Sequence, residues 1–281
     1  MHKQQVVMKN NINNTGTWFL LFSFAVLSGC QPDSGNGRAS NDKQAATDTL
    51  TYQYTDYTRY SDHPVKTSET TDTTFFSVSY PVFPDSTVNL FVREALLGSD
   101  TASVEKAAGQ FISDFDRFME TDPFPRVWVS ESHAKVYCIT PSYLGLTIDA
   151  YSYTGGAHGN YATVFEHYDL TDGQPFTLSD VVDTAYQNEL TAVAERYFRQ
   201  REGLAVDQSL EDRYFFDGGR FSIPANFALE QDSLLFLYNI YEIKPYVDGQ
   251  TELRVPYTDI DRLLTDRARR IVNEIATVKT P

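Results

Sequence analysis

Residues 144–168 read LGLTIDAYSYTGGAHGNYATVFEHY. Leu144, Leu146, Ile148 and Ala150 alternate with more polar positions, the period of a strand with one face in a core. Tyr161 to Tyr168 is again rich in aromatic and β-branched residues, so the two runs predict a hairpin. Between them lies Gly155-Gly156-Ala157-His158-Gly159. Three glycines in five residues suit a turn that needs positive φ and leaves its amides accessible.

Outward from this hairpin, the pattern predicts an α+β fold: an antiparallel sheet with packed helices, in two interlocked subdomains. Upstream, Leu50 to Tyr60 reads as a strand with Tyr52 and Tyr54 on one face. Thr74 to Phe83 is a second strand, expected to end at Pro81 and Pro84, which cannot donate to a ladder. Val104, Ala108, Phe111, Ile112, Phe115 and Phe118 form one apolar stripe at helical spacing, the first clear helix. It should stop before Pro123 and Pro125. Arg126 to Thr140 then precedes the hairpin as a further strand, and the short connections favour antiparallel pairing of neighbours.

Downstream, Asp172-Gly173 signals a turn. Thr184-Ala185-Tyr186-Gln187 has the spacing of a capping box opening a second helix, with Leu190, Val193, Ala194, Tyr197 and Phe198 on one face. Leu234 to Tyr241 is apolar on both faces, as in a central strand. Glu252 to Val255 adds a strand. Ile260 to Ile275 closes the chain as a helix, expected to expose Arg262, Arg267, Arg269 and Arg270.

The first 29 residues carry Lys3 and Lys9 and no acid, then the apolar run Trp18 to Leu27 and the sequence Leu27-Ser28-Gly29-Cys30. A basic start, a short apolar core and small residues before a cleavage point describe a secretory signal, too short for a membrane span. Leu-Ser-Gly-Cys also resembles the bacterial lipobox, which implies that Cys30 is acylated and becomes the new N-terminus; an ordinary signal peptide with a chance cysteine is the alternative. Residues 30–49 hold almost nothing large and apolar, so they read as a flexible tether. Gln31 follows the cysteine, and in a two-membrane cell the expected address is the outer membrane. With Cys30 acylated, Cys138 has no disulfide partner, and its apolar neighbours make it a buried, inert thiol.

The formal net charge of −15 argues against nucleic acid, whose phosphates need Lys and Arg. It suits a cationic partner, or simply solubility. No G-x-S-x-G, H-E-x-x-H, P-loop or C-x-x-C pattern occurs, so no catalytic residue and no cofactor are indicated. His158 is the most notable single residue. In its glycine frame an imidazole suits metal binding, proton transfer or ligand contact, with His133, Asp149, Glu166 or His167 as conceivable neighbours; alternatively it hydrogen-bonds a strand end and holds the loop. No paired ligand spacing marks a metal. Tyr241, Tyr246 and Tyr257, with Lys244 beside Pro245, form a second candidate surface, suited to glycan or protein contact or to a structural corner.

GGAHG, followed by Tyr168-Asp169-Leu170-Thr171-Asp172-Gly173 and Phe176-Thr177-Leu178-Ser179-Asp180-Val181-Val182, resembles the pattern of a bacterial cell-envelope domain family. So does Asp232 to Tyr246 with Gly249 and Val255-Pro256-Tyr257. That family occurs in the extracytoplasmic part of the lysozyme-sensing anti-sigma factor RsiV and beside the catalytic domain of the peptidoglycan deacetylase PdaC. The resemblance implies a PdaC-accessory-like subdomain over residues 50–158 and an RsiV-like subdomain over 159–281. It also implies lysozyme or peptidoglycan as partner, so a lipid-anchored envelope binding module is the expected function, with a metal-dependent hydrolase centred on His158 or a scaffold lipoprotein as the alternatives. PdaC's own aspartate pair and H-x-x-x-H-like metal motif have no counterpart, so its activity does not transfer.

Overall fold

The computed structural model describes residues 50–66, 70–98, 103–122, 124 and 126–278. The expected signal, Cys30 and the tether lie outside these residues, and the described ones fall within one compact unit.

The hairpin forms the middle of the main sheet. Strands β6 (Tyr143–Tyr153) and β7 (Asn160–Asp169) pair antiparallel, with Leu144 opposite Tyr168 and Tyr151 opposite Tyr161. Strand β5 (Val129–Ile139) pairs antiparallel on the far side of β6, with a register shift between Val136 and Cys138. Beyond it come β4 (Phe75–Val82) and β1 (Gln53–Tyr60), and a two-residue β8 (Gln174–Pro175) extends the other edge. The sheet crosses residue 158 without a break, so the two expected subdomains share it. A separate short ribbon pairs β2 (Val65–Lys66) with β3 (Thr71–Asp72).

Two features of this half differ from the sequence reading. Pro81 lies within β4, opposite Tyr54, although it was expected to end the strand. Pairing with β5 stops at Ser79, so on that side Pro81 has no ladder to interrupt. The second difference is helix α1 (Ser86–Leu97), which is not among the sequence expectations. Asp85 Oδ1 caps it by accepting from Thr87 N at 2.7 Å, and Val88, Phe91, Val92 and Leu96 form its buried stripe. With α2 (Val104–Thr121) it carries the chain from β4 across one face of the sheet, so β4 and β5 pair parallel. Parallel neighbours require such a crossover. Phe76, Val78, Ala134, Leu144, Leu146, Ile148 and Tyr168 meet the helices in one core.

The opposite face receives a second core, built on a three-stranded sheet with β10 (Ser233–Tyr238) between β9 (Phe227–Leu229) and β11 (Thr251–Pro256). All six residues of β10 are buried, as expected for an apolar central strand. Around it lie α3 (Leu178–Val181), α4 (Gln187–Glu202), α5 (Tyr257–Ile260) and α6 (Asp266–Thr277). The box expected at Thr184–Gln187 is absent: Thr184–Tyr186 is a 3-10 turn capped by Asp183, and α4 starts without a side-chain cap. The reciprocal acid sits earlier, where Asp180 accepts from Thr177 N and Thr177 Oγ1, both at 2.8 Å, at the start of α3.

The small sheet joins the large one through β7. Asn226 Oδ1 accepts from Phe165 N at 2.9 Å and its Nδ2 donates to Thr163 O at 2.8 Å. Asn239 Oδ1 accepts from Thr163 N at 2.8 Å and its Nδ2 donates to the same Thr163 oxygen at 3.0 Å. Two amide side chains thus satisfy the edge of β7 that β8 is too short to reach. Arg267, expected on the surface, is turned inward. Its guanidinium reaches Asp169 at 2.7 Å, Asp180 at 2.8 Å and Asp172 at 3.0 Å, tying α6 to the end of β7 and to α3.

Candidate functional site

The glycine-rich turn sits at the tip of the central hairpin. Gly155 and Gly156 have φ of +110° and +117°, backbone that side-chain-bearing residues rarely adopt. A Cβ on Gly159 would lie 2.3 Å from the Tyr151 hydroxyl and 2.7 Å from Ser152 O, so the strand folds back onto its own tyrosine. Tyr153 OH donates to Gly156 O at 3.0 Å. Together these constraints present His158 outward.

His158 meets the second candidate surface. Its ring stacks on Tyr246 with centroids 4.0 Å apart and lies 6.1 Å from the ring of Tyr241. Its Nδ1 donates to Gly159 O at 2.9 Å, because a carbonyl can only accept, so in the neutral ring Nε2 accepts from Tyr241 OH at 3.2 Å. Tyr161 adds a fourth ring, edge-on to Tyr246 at 6.3 Å. Both nitrogens of His158 are therefore spent on a carbonyl and a phenol, and the expected neighbours His133, Asp149, Glu166 and His167 make no hydrogen bond, ion pair or ring contact with it among the described residues. No group of three His, Cys, Asp or Glu able to hold a metal ion occurs among the described residues.

The structure separates the remaining members of the second surface. Tyr241 and Tyr246 join His158, whereas Lys244 turns away to pair with Glu202 at 2.8 Å, where both side chains are 14% exposed. Glu202 also accepts from Tyr214 OH at 2.9 Å. Tyr257 is buried in the second core, its hydroxyl 3.3 Å from Glu230 O. Tyr241 is half exposed and has φ of +63°, alone among non-glycine residues described. For an aromatic residue that conformation is strained by about 1–2 kcal/mol. The strand-leaving segment is held in place by Asn239, which also accepts from Gln250 Nε2 at 2.8 Å and donates its backbone N–H to Glu242 at 2.7 Å. Val247, at the tip of this loop, is 88% exposed.

His167, two strand positions beyond Phe165, is instead a core residue. Its Nε2 faces Phe227 O at 2.8 Å, so the proton is on Nε2 and Nδ1 accepts from Tyr143 OH at 2.6 Å. Tyr137 OH in turn donates to the Tyr143 oxygen at 2.5 Å. Burial pushes the His167 pKa down to about 4. On the other face of β7, burial pushes Glu166 up to about 7. Cys138 lines a cleft of about 580 Å³ with Tyr52, Val136, Ile139, Leu229 and Glu230. Burial raises its thiol to about 11, which leaves it protonated and a poor nucleophile at neutral pH.

Residues 67–161 match the family model described as deacetylase PdaC, and residues 179–258 match the one described as a protein of unknown function, DUF3298. The cluster draws on both matched segments, His158 from the first and Tyr241 and Tyr246 from the second. No curated protein matches the chain. Among the solved structures that share its fold are two DUF3298 proteins. A DUF3298 family member from Bacteroides fragilis is 21% identical, with a TM-score of 0.66 over 82% of this chain and 99% of that one. A DUF3298 family protein from Pseudomonas aeruginosa is 20% identical, with a TM-score of 0.64 over 79% of this chain and 97% of that one. The chain is thus an α+β domain of the architecture seen in these DUF3298 proteins, with a segment resembling PdaC.

Proposed function

We propose that this protein is a lipid-anchored, non-catalytic binding module of the cell envelope, held by acylated Cys30 at the outer membrane, and that it recognises peptidoglycan fragments through the His158–Tyr241–Tyr246 cluster. The observation that carries this reading is the cluster itself: two tyrosine rings packed against an imidazole at an accessible loop junction, one in a strained backbone conformation, with no carboxylate bonded to the imidazole among the described residues. Aromatic faces flanked by hydrogen-bonding groups suit sugar rings. Reading His158 as the centre of a metal-dependent hydrolase is weaker, because both ring nitrogens already have partners. A basic protein such as lysozyme, the partner the RsiV resemblance implies, is the second reading, and the net charge of −15 favours it.

Calorimetric titration of the full chain with muropeptides and, separately, with a lysozyme at two ionic strengths tests the proposal. Muropeptide heat that changes little with salt and is lost in His158→Ala is the expected result. Salt-sensitive binding of lysozyme alone moves the function to the second reading. Absence of heat with both overturns it.

A further inference from the structure

The small sheet covers only part of the large one. Beneath it Tyr143, Gly145 and His167 are buried, whereas on the same face residues 147, 149, 151 and 153 are half exposed. Residues paired across neighbouring strands point to the same side, and alternate residues point to opposite sides. The registers therefore place Asp56, Ser79, His133, Asp149 and Thr163 in one rank across five strands, on the face away from α1 and α2. The next rank is Thr58, Ser77, Glu131, Tyr151 and Tyr161. None of the ten is buried. At about 4.8 Å per strand the ranks run about 19 Å; the first ends at Thr163 and the second at Tyr161, the fourth ring of the His158 cluster.

The ranks contain no aliphatic side chain. Part of the rank is already linked: Asp149 accepts from Lys135 Nζ at 2.7 Å and from Thr163 Oγ1 at 2.9 Å, and the Thr58 and Ser77 hydroxyls are 2.9 Å apart. Asp56, Glu131 and His133 make no side-chain hydrogen bond among the described residues, which leaves a carboxylate, a second carboxylate and an imidazole facing solvent along the strip. A protein partner needs an apolar centre to its footprint, and a nucleic acid or other polyanion needs cations. A peptide strand docks on a free sheet edge, not on a face. What fits is a ligand dense in hydroxyl and amide groups, without negative charge, with ring faces for the tyrosines at one end.

We infer that this uncovered sheet face is a saccharide-binding strip that continues the His158 cluster, and that it takes a neutral, linear N-acetylhexosamine chain. The inference rests on the glycan reading of that cluster. The ranks hydrogen-bond the chain's hydroxyls and amides across β1, β4, β5, β6 and β7, and the tyrosine end stacks a terminal ring.

Titration of the full chain with chitotetraose tests it, comparing wild type, the double variant Glu131→Gln with His133→Ala, and Tyr246→Ala. Both altered rank residues reach solvent, so unfolding midpoints should match wild type; Asp56→Asn on the exposed edge strand is a second rank variant. Loss of hydrogen bonds to a carboxylate and an imidazole should weaken binding by at least about tenfold, and Tyr246→Ala should weaken it independently. Affinity unchanged in the rank variants but lost in Tyr246→Ala overturns the strip and leaves the cluster reading standing. No binding of chitotetraose by wild type overturns the strip, while muropeptide binding lost in His158→Ala keeps the cluster reading.

Discussion

Adjacent residues on β7 carry opposite pH responses. His167 is neutral in the fold with a pKa near 4, below its unfolded value, so its contribution is present above about pH 6.5 and is lost as pH falls through 4. Glu166 has a folded pKa near 7, above its unfolded value. Its contribution is present below about pH 4.5 and is lost as pH rises through 7. Each shift corresponds to about 3 kcal/mol, less for Glu166, which keeps some contact with water. Between pH 7 and 4.5 the two should largely cancel. In Glu166→Gln, urea unfolding should therefore show stability dropping more steeply with acid than in wild type. A parallel pair of pH profiles would refute the shift at Glu166. Tyr241 makes a second residue-scale prediction. Tyr241→Gly releases the left-handed strain but frees the backbone in the unfolded chain at about 0.5–1 kcal/mol, so stability by thermal unfolding should stay within about 1 kcal/mol of wild type while ligand affinity falls. A large loss of stability would mean that Tyr241 serves the fold and not the site.

Among the elements, α6 shows how charges that look solvent-facing in sequence become structural. Arg267 satisfies Asp169, whose side chain is only 1% exposed and which Arg270 reaches at 3.2 Å. At the other end of the helix, Glu274 accepts from Thr140 Oγ1 at 2.6 Å, Ser142 Oγ at 2.7 Å and Ser142 N at 3.1 Å, pinning α6 to the β5–β6 turn. Arg267→Met should leave Asp169 buried with its main partner gone and cost about 3 kcal/mol in denaturant unfolding. Arg267→Lys should recover only part of this, since an ammonium lacks the planar fork that spans three carboxylates. Equal stability of the lysine variant and wild type would show that charge alone suffices. A helical wheel of α6 could not have revealed this, because the arginine stands one turn from residues that are exposed and its acids come from 87 to 98 positions earlier in the chain.

At the scale of the whole molecule, the anchor and the folded body make separate predictions. If Cys30 carries lipid, Cys30→Ser should move the protein from the membrane fraction to the soluble fraction on ultracentrifugation, with its folded part unchanged. Retention in the membrane fraction would remove acylation as the means of attachment. Among the described residues no helix is long and apolar enough to cross a membrane.

The order of strands in the meander, the apolar stripe of α2, the central position of β10 and the glycine turn are all readable in the sequence. Each depends on local chemistry: period-2 burial, period-3.6 burial, and backbone that only glycine adopts easily. The parallel step from β4 to β5 escaped that reading because α1 declares itself only through a short stripe behind an aspartate cap. The passage of β4 through Pro81 depends on where a neighbouring strand happens to stop pairing. The meeting of His158 with Tyr241 and Tyr246, the withdrawal of Lys244 and Tyr257 from that surface, and the two polar ranks were decided only in three dimensions. The first of these joins residues 83 and 88 positions apart, with Asn226 and Asn239 bonding the edge of β7, and no local pattern in a chain encodes which distant strand will complete a sheet's unpaired hydrogen bonds.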